Sequence, residues 1–317
     1  MFKKIIASAL AVLMLFSVTG CGKEAEDNVN IRIAGLKGPT SIGLVKVMDD
    51  GKYEFSLHGS ADEVTPMLVK GELDMAAVPS NLASVLYNNT EGEIVLLAIN
   101  TLGVIYIVDK DLDIRSISDL KGQTIYATGK GSTPEYALRY ILSENGIDPD
   151  NDVTLEFRSE PTEVVSILSS EEKCAAMLPQ PYVTVAQGKV GGLSAAIDLT
   201  KAWDDLNNGS KLITGVLAAR KDFVTEHPEA VRKFLEDYKA SVDYVLSDTK
   251  GAAGLCEKYD IVKAAVAEKA IPYCNITFIS GEDMKAPLSG YLETLFEQNP
   301  KAVGGKLPGD DFYYTVK

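Results

Sequence analysis

Histidine and cysteine are scarce in this sequence, with two and four copies among 317 residues. No HExxH, no CxxC pair and no histidine cluster occurs, so the spacing that holds a metal is missing. A G-x-S-x-G elbow and a P-loop are missing too. Basic residues are outnumbered: 31 Lys and Arg face 45 Asp and Glu, for a net charge of −14. A nucleic-acid partner needs a positive surface that releases counterions, so none is expected. The acidic residues are scattered, mostly at helical spacings with lysines such as Glu226 and Lys233, as on solvated helix faces. No acid/base constellation emerges. The chain is therefore not expected to be an enzyme, and no cofactor or metal is expected.

What the chain does have is enough apolar residue, 46%, to build a core. About 300 residues bury roughly three quarters of the unfolded surface, so no disulfide framework is needed. The length fits two domains or one large one. At the N-terminus Lys3 and Lys4 precede an uncharged run, Ile5 to Val18. That run is short for a bilayer span of about 20 residues but suits a signal peptide. It ends in Ser17-Val18-Thr19-Gly20-Cys21, which resembles the bacterial lipobox. The expectation is a signal peptide over residues 1–20, lipid on Cys21, and a polar tether over 21–30. No other stretch is apolar enough to span a membrane. Cys174 lies in an apolar run, as a buried small hydrophobe would. Cys256 and Cys274 could close a disulfide in an exported protein, although the sequence does not show that they meet.

The rest alternates short β-branched runs with longer amphipathic ones. The pattern predicts strands at Ile31–Ala34, Tyr53–Leu57, Met75–Val78, Ile94–Ile99, Val104–Val108, Thr124–Ala127, Val153–Phe157, Ala175–Leu178 and Ile213–Ala218. Helices are predicted at Ser41–Met48, Leu82–Asn88, Glu135–Glu144, Glu163–Ser169, Tyr182–Gly188 and Pro228–Leu246. Such alternation argues for an α/β fold with parallel sheets covered on both faces. Two ordered segments recur. Lys37-Gly38-Pro39-Thr40-Ser41 is matched by Lys130-Gly131-Ser132-Thr133-Pro134, and Ala76 to Asn81 by Ala175 to Gln180. Each member follows a strand and opens a helix. The repeat predicts two similar lobes, divided near Asp109, with the four turns facing a cleft beyond the strand carboxyl ends.

Those turns supply the candidate binding residues: Gly38, Thr40 and Ser41; Ser80 and Asn81; Gly131, Ser132 and Thr133; Gln180 and Tyr182. Free N–H groups at helix openings favour an anionic or strongly polar ligand group. Each hydroxyl could instead be an N-cap, worth about 1 kcal/mol to its helix. Lys37 and Lys130 could flank an anion or stay solvated. Tyr182 and Trp203 could stack on a ring, and Trp203 could equally pack near a hinge. His58 ends a strand beside Ser60 and Glu63, which stand in capping-box register.

The Cys21 lipobox, Gly38-Pro39-Thr40-Ser41, and Gly71-Glu72-Leu73-Asp74 before Ala76-Ala77-Val78-Pro79 have a familiar order. Asp119-Leu120-Lys121-Gly122 and Ala270-Ile271-Pro272-Tyr273-Cys274-Asn275 continue it. Together they resemble the extracytoplasmic substrate-binding lipoproteins of ABC importers, in the nitrate, sulfonate and taurine group, which includes binders of thiamine pyrimidine precursors. The resemblance implies a two-lobed type II periplasmic-binding-protein fold with a ligand cleft between lobes. Lobe 1 would be discontinuous, 29–108 plus 212–317, and lobe 2 would be 109–211, with crossovers near Val108–Asp113 and Ser210–Gly215. It also implies a monomer on the outer face of a bacterial membrane that closes around a small organic or anionic solute. That solute would pass to an ABC transporter permease. An enzyme on the same fold, or a sensor for a membrane kinase, is the alternative. Pro66, inside the Ala61–Lys70 helix pattern, departs from the family helix and predicts a kink.

Overall fold

A computed structural model describes residues 29–315. The expected signal peptide, Cys21 and all but the last two residues of the tether lie outside the described residues.

The strands are β1 (Arg32–Leu36), β2 (Glu54–His58), β3 (Met75–Pro79), β4 (Ile94–Leu102), β5 (Ile105–Lys110), β6 (Thr124–Thr128), β7 (Thr154–Arg158), β8 (Cys174–Pro179), β9 (Ser194–Asp198), β10 (Ile213–Arg220) and β11 (Ile276–Ser280). They form a six-stranded sheet, β11-β4-β10-β3-β1-β2, and a five-stranded sheet, β7-β6-β8-β5-β9. Strands between two helical layers are buried on both faces and read as continuous apolar runs. β3 and β8 do so, with only their terminal prolines part-exposed.

The two sheets repeat one order. Strand β1 lies between β2 and β3, as β6 lies between β7 and β8. The registers agree as well: Ile33 and Ala34 face Met75 and Ala76, while Ile125 and Tyr126 face Ala175 and Ala176. The segments that recur in the sequence thus occupy the same places in both sheets.

Two expectations are corrected. The sheets are mixed, because β10 runs antiparallel to β3 and β4, and β5 runs antiparallel to β8 and β9. Hydrophobic periodicity carries no information on strand direction, and these two strands follow crossings that enter the sheet from the opposite end. The first crossing also comes earlier than Val108–Asp113. β4 ends at Leu102 in the first sheet, and β5 begins at Ile105 in the second. Strands β9 and β11 were not predicted; the first is exposed at Ser194 and Ala195, which blurs its apolar pattern.

The crossing turns on Gly103. A Cβ there would overlap the Thr200 side chain, and the Gly103 carbonyl accepts from Asn275 Nδ2. The return crossing follows the helix Leu199–Asp205, where Trp203 is fully buried. Its ring lies 4.8 Å from Tyr140 on the helix Thr133–Glu144 and 5.4 Å from Tyr291 on the helix Glu282–Gln298. Its Nε1 donates to Ser210 Oγ at 3.1 Å. Trp203 therefore packs beside the return crossing and takes no part in the cleft wall.

One local reading also changes. The Ser41–Met48 segment is two short helices, Pro39–Ile42 and Val45–Asp49. Pro66 sits inside the helix Ala61–Val69, which continues past it. The bridge considered between Cys256 and Cys274 is not formed: both, like Cys174, are buried free thiols. Cys274 donates to the Ala270 carbonyl at 3.2 Å. Burial pushes the Cys256 thiol up to about 12 and raises Cys274 as well.

Thiolate is the reactive form, so neither Cys256 nor Cys274 should react with iodoacetamide at pH 8 in the folded protein. Both should react on unfolding without added reductant, as peptide mass mapping would show. Protection that persists until reductant is added would mean a bridge. Gly103→Ala should cost about 1–3 kcal/mol through overpacking against Thr200. A melting temperature equal to the parent's would contradict that close approach.

Candidate functional site

A cleft of about 660 Å³ opens between the two sheets. Its walls are the turns that follow the parallel strands, as the topology of an open α/β sheet requires. The first lobe contributes Lys37 to Thr40 after β1, Gly59 to Asp62 after β2, and Pro79 and Leu82 at the end of β3. Thr214, on the returning β10, completes that wall. The second lobe contributes Gly129 to Ser132 after β6, Phe157 to Ser159 at the end of β7, and Pro179 and Tyr182 around β8.

Five of the ten candidate residues line this cleft: Gly38, Thr40, Gly131, Ser132 and Tyr182. The other five lie behind its surface. Ser80 Oγ donates to the Ile213 carbonyl at 2.5 Å and lies 3.0 Å from Thr133 Oγ1. Thr133 Oγ1 donates to Asn81 Oδ1 at 3.2 Å, and Asn81 Nδ2 donates to the Ala302 carbonyl at 2.9 Å. Ser80 and Asn81 open the helix Ser80–Asn89, and Thr133 opens the helix Thr133–Glu144. Two helix openings from opposite lobes thus meet, and their polar side chains bind each other. Gln180 Oε1 accepts from Thr184 Oγ1 at 2.9 Å, on the helix Tyr182–Lys189. Ser41 is fully buried, and its Oγ occupies the space a Cβ at Gly35 would need.

Tyr182 reaches across the cleft. Its hydroxyl donates to the Lys37 carbonyl at 2.9 Å. Burial first, then Glu160 and Asp260, push the phenol up to about 12, so it stays a neutral donor through the physiological range. Lys37 itself pairs with Asp260 at 2.7 Å. Lys130 is exposed at the cleft and has no carboxylate partner among the described residues. His58 is outside the cleft lining, with its ring nitrogens 3.0 Å from Ser56 Oγ and 3.3 Å from Glu63 Oε2. Ser60 makes no side-chain cap, so the expected capping box does not form.

The cleft also holds residues that sequence reasoning missed, chiefly Thr214, Phe157 and Arg158. The internal repeat carried a signal for the last two. Leu36 faces His58 across β1 and β2, and Thr128 faces Arg158 across β6 and β7. A turn after β7 therefore had to mirror the turn after β2. Thr214 had no such signal, because β10 reaches the cleft only through its antiparallel insertion.

The helix openings at the cleft offer fewer free N–H groups than their number implies. Pro39, Pro134 and Pro161 each stand in a first turn and carry no N–H. The Gly131 N–H donates to Glu135 Oε2 at 2.7 Å, and Glu135 pairs with Arg139 at 2.9 Å. The Glu160 N–H donates to Glu163 Oε1 at 3.1 Å in a capping box. Among the described residues no three His, Cys, Asp or Glu side chains gather where a metal could sit.

A two-lobed α/β body with a cleft between strand carboxyl ends is the architecture of proteins that enclose small solutes. Residues 49–257 match the NMT1-like family, and the chain belongs to that family. A Brucella abortus (strain 2308) protein described as a binding protein is 23% identical over 261 residues, covering 80% of this chain and 77% of its own. An ABC transporter structure from Parabacteroides distasonis superposes with a TM-score of 0.76 at 23% identity, covering 91% of this chain and 99% of that one. The periplasmic aliphatic sulphonate binding protein SsuA of Escherichia coli gives 0.71 at 16% identity, over 91% and 92% of the two chains. The periplasmic nitrate-binding protein NrtA of Synechocystis PCC 6803 gives 0.66 at 15% identity, over 89% and 86%.

The Tyr182 bond joins the lobes without supporting either core, so Tyr182→Phe should leave the melting temperature within about 2 °C of the parent. Loss of a bond worth about 1 kcal/mol should shift the ligand-free lobes toward opening by roughly fivefold. Small-angle scattering would register this as a larger radius of gyration. An unchanged radius would show that the bond does not hold the lobes together.

Proposed function

We propose that this protein is an extracytoplasmic solute-binding lipoprotein. It captures a small solute by closure of its two lobes and delivers it to the permease of an ABC importer. The observation that carries the reading is the cleft itself. Every parallel strand turn that opens onto it is drawn from one of two sheets of the same order, and Tyr182 already spans the gap to Lys37. Solute contacts to both walls would favour the closed arrangement over the open one, and closure would present a single composite surface to the permease.

In this reading the protein performs no chemistry; its cleft gathers hydroxyls, prolines, apolar side chains and a few charged ones, with Lys37 and Arg158 paired to carboxylates. Family membership and the solved neighbours support the transport role. The lipid proposed on Cys21 would hold the protein near its permease at high effective concentration, as a monomer on the outer face of a bacterial membrane. Among the described residues no helix is long and apolar enough to cross a membrane.

Expression of the full chain with labelled palmitate should give a membrane-associated, labelled protein. Cys21→Ser should abolish both label and membrane association. A labelled Cys21→Ser variant would remove the anchor from this account. Native mass spectrometry of the purified protein should show a small adduct that is lost on unfolding and refolding. If no adduct is seen and no small solute raises the melting temperature, the solute-binding reading fails.

A further inference from the structure

We infer that the cleft takes an uncharged, hydrogen-bonding organic molecule, received by the hydroxyls of Thr40 and Thr214, and not a nitrate, sulfate or sulfonate ion. The inference rests on the solute-binding reading above and narrows it to a ligand class.

The first ground is what the lobe-1 wall leaves unpaired. Thr40 and Thr214 both line the cleft, they are 5% and 7% exposed, and the hydroxyl of each lacks any hydrogen-bond partner. A buried hydroxyl without a partner costs about 1–3 kcal/mol; eight buried side-chain polar atoms among the described residues lack one, and Thr40 and Thr214 carry the two that belong to residues lining the cleft. They are neighbours: the Thr40 methyl occupies the space a Cβ at Gly215 would need, one residue beyond Thr214. Both hydroxyl oxygens are sealed from solvent as they stand, and rotation about Cα–Cβ would bring either to the cleft surface without moving the backbone. A hydroxyl both donates and accepts, so the pair matches a group that does the same, such as an amide or a ring nitrogen beside an N–H. An oxyanion has only acceptors and a charge that must be answered.

The second ground is that this charge is not answered. Three openings at the cleft each lack one N–H through Pro39, Pro134 and Pro161, and the opening of the helix Ala61–Val69, which has no proline and no side-chain cap, carries Asp62 and Glu63 in its first turn, where they repel an anion. Glu135 holds the Gly131 N–H and Glu163 holds the Glu160 N–H. The cations at the cleft are mostly committed, Lys37 to Asp260 at 2.7 Å and Arg158 to Glu156 at 2.8 Å. Lys130 is uncommitted but exposed, and Asp62 and Glu163 stand at the same cleft. A desolvated anion without a paired cation or N–H donors would be costly to bury.

The third ground is size and apolar surface. A cleft of about 660 Å³ falls within the range of sites for drug-sized organic ligands. Leu82, Ile105 and Phe157 add apolar area that an inorganic ion would leave unused.

The test uses the full chain freed of ligand by unfolding and refolding, with Trp203 emission as the readout of closure, since its ring touches Tyr140 and Tyr291 beside the return crossing. Nicotinamide and adenine are the uncharged probes; nitrate, sulfate and ethanesulfonate are the anions. An uncharged probe should change the emission and bind with unaltered affinity from about 20 mM to about 500 mM sodium chloride. Thr40→Val and Thr214→Val should each weaken that binding by roughly five- to tenfold. The same substitutions should raise the ligand-free melting temperature by about 2–4 °C, because each removes an unpaired buried hydroxyl. Gain of stability with loss of binding is a signature that a purely structural threonine would not give. Tighter binding of any anion, weakened by salt, would overturn the inference and leave the solute-binding reading standing. Parent-like affinity in both valine variants would also overturn it. Silence toward all five probes would overturn it too, and would count against solute binding once no adduct is found by mass.

Discussion

The chain must leave one sheet and enter the other in two residues, and it does so at a glycine with no room for a side chain. Strand β4 stops at Leu102 and β5 starts at Ile105, with Gly103 pressed against Thr200 and held by Asn275. Everything about the cleft follows from that passage. Because it is short, it ties an interior strand of one sheet to an interior strand of the other, and turns at the strand carboxyl ends of both line the same gap. Because the chain must return, β10 enters the first sheet antiparallel between β3 and β4. That insertion brings Thr214 to the cleft and sets Gly215 against Thr40. Trp203 fills the space beside the return crossing, between aromatic rings from the two sides.

A second constraint acts where the helices begin. Openings of opposite lobes approach so closely at the cleft floor that Ser80, Asn81 and Thr133 are used up in binding one another. Farther out, Pro39, Pro134 and Pro161 each remove one N–H, and Glu135 and Glu163 engage those of Gly131 and Glu160. Several positive helix ends face one gap, and proline or the chain's own carboxylates weaken each of them. Recognition is left to hydroxyls, apolar surface and shape, and the ligand class follows from what these can answer.

Much of this was legible in the residues. The order of β-branched and amphipathic runs predicted nine of the strands, because local periodicity records which faces are buried. The repeat of Lys37–Ser41 in Lys130–Pro134, and of Ala76–Asn81 in Ala175–Gln180, predicted two similar lobes. The structure places those segments in matching registers. Of the ten candidate binding residues, Gly38, Thr40, Gly131, Ser132 and Tyr182 reach the cleft. The remaining five share the same turns and differ only in which way their side chains face. That direction is set by the approach of a second element, and no local pattern encodes it.

By itself, then, the sequence determined the α/β class, the duplicated lobes and the turns at which a cleft would form, since these depend on contacts between near neighbours and on repetition along the chain. It did not determine the direction of β5 and β10, the place of the first crossing, or the free state of Cys256 and Cys274. Nor did it separate hydroxyls that pair across the lobes from hydroxyls left without a partner. Those depend on residues distant in the sequence meeting at a few ångströms, as Tyr182 meets the Lys37 carbonyl and Ser80 the Ile213 carbonyl. Only the folded chain fixes such distances, because one hydrogen bond is worth too little to place two lobes, and it is the packing of both sheets that brings its partners together.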